Sequence, residues 1–274
     1  MKLKLIKGTW GMEGSLEEQV RLIAESGYQG IEINLPTDRS PGDLRRLLRD
    51  ANLDLLLMVF TDGDDHVASL RSQVEQALAY EPLHISSHSG RDWWSFDRQR
   101  NFFAGALEVE HRAGVNINHE THRGRALCNP WNTEALLKEF PELHITADLS
   151  HFVCVCERLL SADPALASTL EICISRTRHI HGRVGYEEGP QVSDPRAPEW
   201  AVHVEAHEAW WKAIAQARLA AGAKYLTFNP EFGPPNYMQT LPYSRKPAAD
   251  LWEVCLYMAA RFRRQYEEMF PANG

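Results

Sequence analysis

Apolar positions along the chain follow two alternating rhythms. Short, densely apolar runs such as LKLIKG (3–8), GIEIN (30–34), LDLLLMVF (53–60) and PLHISSHS (82–89) read as buried strands. Longer amphipathic stretches separate them: SLEEQVRLIAESG (15–27), SPGDLRRLLRDAN (40–52), DHVASLRSQVEQALAY (65–80) and SFDRQRNFFAGALEVEHRAG (95–114) read as helices. The alternation continues with strands at 115–122, 143–151, 178–185 and 224–233. Helices follow at 132–140, 164–176, 202–222 and 248–269. Local punctuation agrees with this division. Ser15 with Glu18 forms a capping box, Gly27 stops the first helix, and Ser40-Pro41 opens the second.

Eight strand–helix units in strict alternation imply parallel strands joined by helical crossovers. The fold class expected is α/β, a (β/α)8 barrel in a single domain spanning 1–274, since such barrels run to about 250 residues. An open doubly wound sheet would carry a glycine-rich phosphate loop after its first strand, and KGTWGMEGS lacks that pattern. No interdomain linker interrupts the chain. The one long irregular piece, 186–200, is expected to be a lid or binding loop.

Barrel enzymes place reactive groups at the C-terminal ends of strands. Here those ends carry Glu32, His88, Glu120, Asp148 with His151, His179 with His181, and Glu231. Taken singly, each carboxylate reads as a helix cap or loop anchor and each histidine as a hydrogen-bonded side chain. Taken together, Glu120, Asp148, His181 and Glu231 end four successive strands, and three carboxylates cannot be buried together without a compensating cation or protons. One divalent metal resolves that cost. Oxygen-rich ligands with one imidazole suit Mn²⁺ first, with Mg²⁺, Co²⁺ or Zn²⁺ as alternatives. His179 and His181 alternate with Ile180 and so share a face; His181, nearer the mouth, is taken as the ligand, with His179 one layer deeper.

The strand-end motifs NHETH, ADLSH, HIHGR and NPEFG resemble the xylose-isomerase-like superfamily, and within it the sugar epimerases and isomerases of the tagatose/psicose 3-epimerase type. The resemblance implies that Glu120, Asp148, His181 and Glu231 bind one metal, that Glu120 and Glu231 also act as acid and base, and that His151 touches substrate. The ketose 3-epimerases carry an arginine six residues beyond the strand-seven histidine, where this chain has Glu187. Arg183 is the nearest replacement, and Arg196, between Pro195 and Pro198, could reach the mouth from the loop. His88 and Trp10 complete the expected substrate contacts.

Composition narrows the picture further. The sequence is 44% hydrophobic and 24% charged, as in globular proteins, and its net charge of -8 disfavours a nucleic-acid partner, which needs basic surface. Five cysteines, an odd number in a long chain, read as reduced thiols. No apolar run approaches the ~18 residues of a membrane span, and the N-terminus has no signal-peptide pattern, so the expected location is cytoplasmic with no membrane partner. His203 and His207 sit on an outer helix without the general base of a zinc motif and are discounted. Arg123 and Arg125, just after Glu120, suit either an anionic substrate group or a loop carboxylate.

The function expected is a metal-dependent sugar isomerase or epimerase acting by proton transfer next to a carbonyl, on a small-molecule carbohydrate. The alternative is a lyase or dehydratase on a keto-sugar or keto-inositol. An AP-endonuclease-like phosphodiesterase would need more histidine ligands and a basic face, and a non-catalytic sugar-binding protein would have little use for intact metal ligands. A homo-oligomer stays open.

Overall fold

A computed structural model describes residues 1–271. Eight parallel strands close into a barrel in sequence order, β8 pairing back onto β1. The elements run β1 (Lys2–Gly8), α1 (Leu16–Glu25), β2 (Gly30–Asn34), α2 (Pro41–Asp50), β3 (Asp54–Phe60), α3 (His66–Leu78), β4 (His84–His88), α4 (Phe96–Ala113) and β5 (Ile117–Glu120). They continue α5 (Pro130–Glu139), β6 (His144–Ala147), α6 (Ser150–Cys156), α7 (Ala167–Arg176), β7 (Thr177–His181), α8 (Ala201–Ala220), β8 (Tyr225–Asn229) and α9 (Leu251–Met269). The fold is the (β/α)8 barrel that the alternation predicts.

Helix ends follow local chemistry. Ser15 and Glu18 form the expected capping box, and Gly27 turns the chain away from α1 with φ +77°. Ser40, Asp65, Ser95, Asn129 and Asp250 each accept a backbone N–H at the start of their helices.

One boundary differs in a way that matters. The strand expected over 143–151 stops at Ala147, and Ser150–Cys156 form a helix instead. The apolar run HFVCVC reads equally well in either state; the barrel decides, because the chain must leave β6 at the mouth. His151 therefore stands in the first turn of α6 rather than on a strand.

The apolar core lies mainly between barrel and helices, where Leu44, Leu48, Val74, Phe103, Leu136, Ile214, Val254, Met258 and Phe262 are buried. The interior of the barrel is unusually polar. Ser86 on β4 meets Thr146 on β6 across it at 3.0 Å, and His179 Nδ1 bonds Thr227 Oγ1 at 2.7 Å. Imidazole and hydroxyl pairs thus stand where barrels commonly stack branched aliphatics. His84 and His179 face each other with ring centroids 5.0 Å apart.

The segment 186–200 is tied down. Val192 N–H donates to Val184 C=O at 2.9 Å, and Gln191 exchanges two bonds with the backbone of Gly233, at 2.7 and 3.1 Å. Gly189 through Val192 are buried. The segment expected as a lid or binding loop is pinned as a strap to the chain beyond β8.

Gly182 couples the fold to the site, since it stands between His181 and Arg183 with its N–H on Asn229 C=O at 2.7 Å. A Cβ there would lie 2.1 Å from the buried Phe228 ring. Gly182→Ala should therefore destabilise the protein by about 1–3 kcal/mol, the usual cost of overpacking, read as a lowered urea midpoint. Gly42→Ala, which meets nothing within 4 Å among the described residues, should leave the midpoint unchanged or raised.

Candidate metal and substrate site

β5, β6, β7 and β8 each bring one side chain to the C-terminal mouth. Glu120 is the last residue of β5, Asp148 follows β6, His181 ends β7, and Glu231 lies just past β8. One ligand-type atom from each falls within 4.8 Å of the others. Glu120, Asp148 and His181 are at most 1% exposed and Glu231 is 9% exposed. The four residues expected to form a cation site are brought together.

Backbone contacts explain how the set is held. Thr121 clamps Asp148 from both sides, donating from its hydroxyl to the Asp148 carbonyl and accepting from the Asp148 N–H, each at 2.9 Å. The Asp148 Oδ1 atom accepts from the Ser150 N–H at 3.2 Å and from the Ser150 hydroxyl. Glu231 N–H donates to Asn229 C=O at 2.8 Å, fixing the turn that aims its side chain inward.

Glu32 on β2 supports the set from below. Its Oε2 stands 3.0 Å from His181 Nε2, 3.4 Å from His179 Nε2 and 2.8 Å from Asn229 Nδ2. Occupying Nε2 leaves Nδ1 of His181 turned toward Glu231 Oε2 at 3.1 Å and Glu120 Oε1 at 3.5 Å. A carboxylate behind a histidine, fixing which ring nitrogen faces the centre, is the usual arrangement of a metal-binding imidazole. Glu32, expected at the end of its strand, is the middle residue of β2, and its task is one the spacing did not show; His179 lies one layer deeper, as its alternation with His181 predicts.

The donor set fits a divalent ion. Buried His181 Nδ1 and Glu231 Oε2 face one another at 3.1 Å with no aligned hydrogen bond among the described residues, as ligands of a common centre do. Burial opposes the charge on Glu120, yet His88 and His181 hold its carboxyl well below the ordinary range. Burial likewise opposes charge on Glu231, which His181 and Arg183 bring below its usual value. Burial works against a charged His181, but Glu231, Glu32 and Glu120 drive its pKa well above that of free imidazole. Asp148 is pushed up to about 6 by burial, even with the Arg183 guanidinium beside it. The site is a nest of acids short of positive charge.

Above these groups lies a cavity of about 290 Å³, room for roughly ten waters at ~30 Å³ each and so on the scale of a monosaccharide. Glu120, Glu231, Arg183, His88 and Asn229 give it a polar floor, and Trp10, Phe60, Phe232 and Tyr237 an aromatic wall. His88 Nε2 stands 2.6 Å from Glu120 Oε2. Trp10 meets Tyr237 edge-on at 4.9 Å. Both expected contacts, His88 and Trp10, line the cavity.

Two expected contacts are placed differently. His151 is fully buried beneath Arg183, with its Nε2 3.2 Å from Arg183 Nη2, and it does not line the cavity. Burial, with His122 and Arg183 nearby, depresses its pKa well below the usual value, so it is neutral and accepts from the guanidinium. Arg196 folds back on Asp194 in a two-pronged pair at 2.8 and 2.7 Å, away from the cavity. A neighbouring carboxylate two residues away on the strap captures it first.

Sequence reasoning passed over several cavity residues. His122 follows Glu120 at the strand alternation of two and lines the cavity, its ring 4.6 Å from that of His88 and 4.1 Å from that of His151. That spacing was a usable signal. Tyr237 comes from irregular chain beyond β8, where periodicity says nothing, and Phe232 from the last residues of the strand expected over 224–233, which in the structure stops at Asn229. Arg125 donates to the Thr61 carbonyl at 3.2 Å, the loop-anchor role, and Arg123 lies over the Tyr237 ring at 5.2 Å. His207 accepts the Gly185 N–H at 3.2 Å while His203 pairs with Glu187 at 2.8 Å, so this helical pair is structural.

Solved structures with this architecture span several activities. No family model and no curated protein matches the sequence. An L-ribulose 3-epimerase superposes with TM-score 0.62 over all of both chains at 14% identity. An IOLI protein with a bound zinc atom gives 0.63 at 15% identity, covering 98% of this chain and all of the other. At these identities the likeness shows a shared (β/α)8 barrel fold. A probable 3-DHS dehydratase, AsbF from Bacillus anthracis, also superposes, at TM-score 0.59 and 12% identity over 96% of this chain and 98% of the other.

Glu32→Gln keeps the shape behind His181 but removes the charge. It should weaken Mn²⁺ binding by roughly 10-fold or more, the usual effect of losing such a supporting carboxylate. Titration calorimetry on folded protein measures this, and an unchanged Kd would remove Glu32 from the metal site.

Proposed function

We propose that this protein is a metal-dependent sugar isomerase or epimerase that moves a proton on the carbon next to the carbonyl of a ketose or keto-sugar. The observation that carries this reading is the convergence of Glu120, Asp148, His181 and Glu231 within 4.8 Å, with Glu120 and Glu231 lining a monosaccharide-sized cavity. Three carboxylates and one imidazole suit a hard or borderline divalent ion, Mn²⁺ first, with Mg²⁺, Co²⁺ or Zn²⁺ as alternatives. Bound there, such an ion supplies Lewis acidity that makes the substrate C–H acidic.

The chain's own residues do the rest. Glu120 and Glu231 enter from strands well apart around the ring, so one takes the proton and the other returns it on the opposite face. The aromatic wall of Trp10, Phe60, Phe232 and Tyr237 holds the C–H faces of a sugar and keeps water from the reacting carbon. Arg183 and Asn229 offer N–H donors to its oxygens. The L-ribulose 3-epimerase among the fold neighbours is in keeping with this chemistry.

A second reading, a lyase or dehydratase acting on a keto-sugar or keto-inositol, is favoured by His88. Its Nε2, 2.6 Å from Glu120 on the cavity wall, sets a second proton carrier beside that base, where a departing hydroxyl would need one. The two readings share their first step, proton abstraction, and differ in whether a proton returns to carbon or a hydroxyl leaves.

Keto-sugars and inososes incubated in D₂O with chelator-treated and Mn²⁺-restored protein test both. Deuterium should enter substrate or product only in the restored sample. Equal uptake in both samples would exclude the mechanism, and turnover without uptake would point to a hydride shift. Glu120→Gln and Glu231→Gln should each lower epimerisation by at least about 100-fold, the lower range for a general acid or base. Loss of activity in only one of them would favour the lyase.

A further inference from the structure

Arg183 stands where the cation belongs. Its Nη2 touches Asp148 Oδ2, lies 3.2 Å from Glu231 Oε2, and is 3.2 Å from His151 Nε2; its Nε reaches the same Asp148 oxygen at 3.1 Å. Two of the four carboxylate and imidazole groups of the site are therefore already bridged by a cation that is part of the chain. The side chain is 1% exposed, and its Nη1 has no hydrogen-bond partner among the described residues.

A metal within coordination distance, about 2.0–2.6 Å, of both Asp148 Oδ2 and Glu231 Oε2 would crowd Nη2, which already sits against both oxygens. Two cations in contact repel, and in a buried site that repulsion is little screened. The guanidinium also has somewhere to go. Its carbon lies 4.6 Å from the Tyr237 ring and 5.8 Å from the Trp10 ring, aromatic faces that hold a displaced guanidinium by cation–π attraction.

We infer that Arg183 is a tethered stand-in for the metal: it bridges Asp148 and Glu231 in the metal-free protein, and the incoming ion displaces it toward the Tyr237–Trp10 wall. This rests on the cation site proposed above. The arrangement has two consequences. The metal-free chain folds with its acids partly neutralised, so folding does not wait for an ion. Metal affinity is reduced in proportion to the time the guanidinium occupies the site, since only the vacated form is competent.

Mn²⁺ titration calorimetry on the wild type, Arg183→Met and Arg183→Gln tests the exchange without any substrate. Both variants should bind Mn²⁺ more tightly, by about tenfold if the guanidinium holds the site nine-tenths of the time. Metal-free, both should melt below the wild type, because buried carboxylates lose their partner, and Mn²⁺ should raise their Tm more than that of the wild type. Asp148→Asn added to Arg183→Met should abolish the gain. Wild-type binding with unchanged or weaker affinity in the variants overturns the exchange and leaves the metal site standing. Binding in none of the proteins removes the metal site and the exchange with it. If neither variant folds alone, refolding in Mn²⁺ becomes the readout: rescue by the ion is expected, and no rescue overturns the inference.

Discussion

Four buried carboxylates share the top of this barrel, and their mutual repulsion is the constraint around which the site is built. Glu32, Glu120, Asp148 and Glu231 come from four different strands or strand ends. Unpaired, each would favour its protonated form. The end of β7 and the chain just past it answer with two residues two positions apart: His181, facing Glu32, Glu120 and Glu231, and Arg183, bridging Asp148 and Glu231. Both depend on Gly182, whose missing side chain lets Phe228 pack beneath the backbone between them.

The same economy shapes the barrel interior. A ladder of His84, His179, Thr227, Ser86 and Thr146 runs below the site. Such a polar column adds little hydrophobic stabilisation, which falls instead to the sleeve of apolar residues between strands and helices. What it provides is orientation. Glu32 holds both His179 and His181, and Asn229 ties Glu32 to the β1 backbone through the Gly8 N–H at 3.2 Å. The ring nitrogen that faces the centre is thereby chosen by contacts spanning β1, β2, β7 and β8.

The fold alone leaves the chemistry open, because one barrel architecture carries an epimerase and a probable dehydratase among its solved relatives in shape. Distinction between such reactions lies in the groups around the acids. In this chain those are His88 against Glu120, Arg183 against Asp148, and an aromatic wall drawn from the turn after β1, from β3 and from the segment beyond β8.

Much of this was legible in the order of residues alone. Strict alternation of strand and helix signals leads to the closed barrel, because parallel strands need crossovers. Strand-end position identifies Glu120, Asp148, His181 and Glu231, because barrel geometry sends all such residues to one mouth. Side-chain pairing was not legible, since it depends on distances across the ring that no local pattern encodes. Only the tertiary structure turned Arg196 onto Asp194, sank His151 into α6 beneath Arg183, pinned 186–200 through Gln191, and brought Tyr237 to the cavity. Above all, it decided that Arg183 would lie among the acids: a guanidinium near several carboxylates goes where its charge is most needed, and that place is defined by three-dimensional proximity rather than by order along the chain.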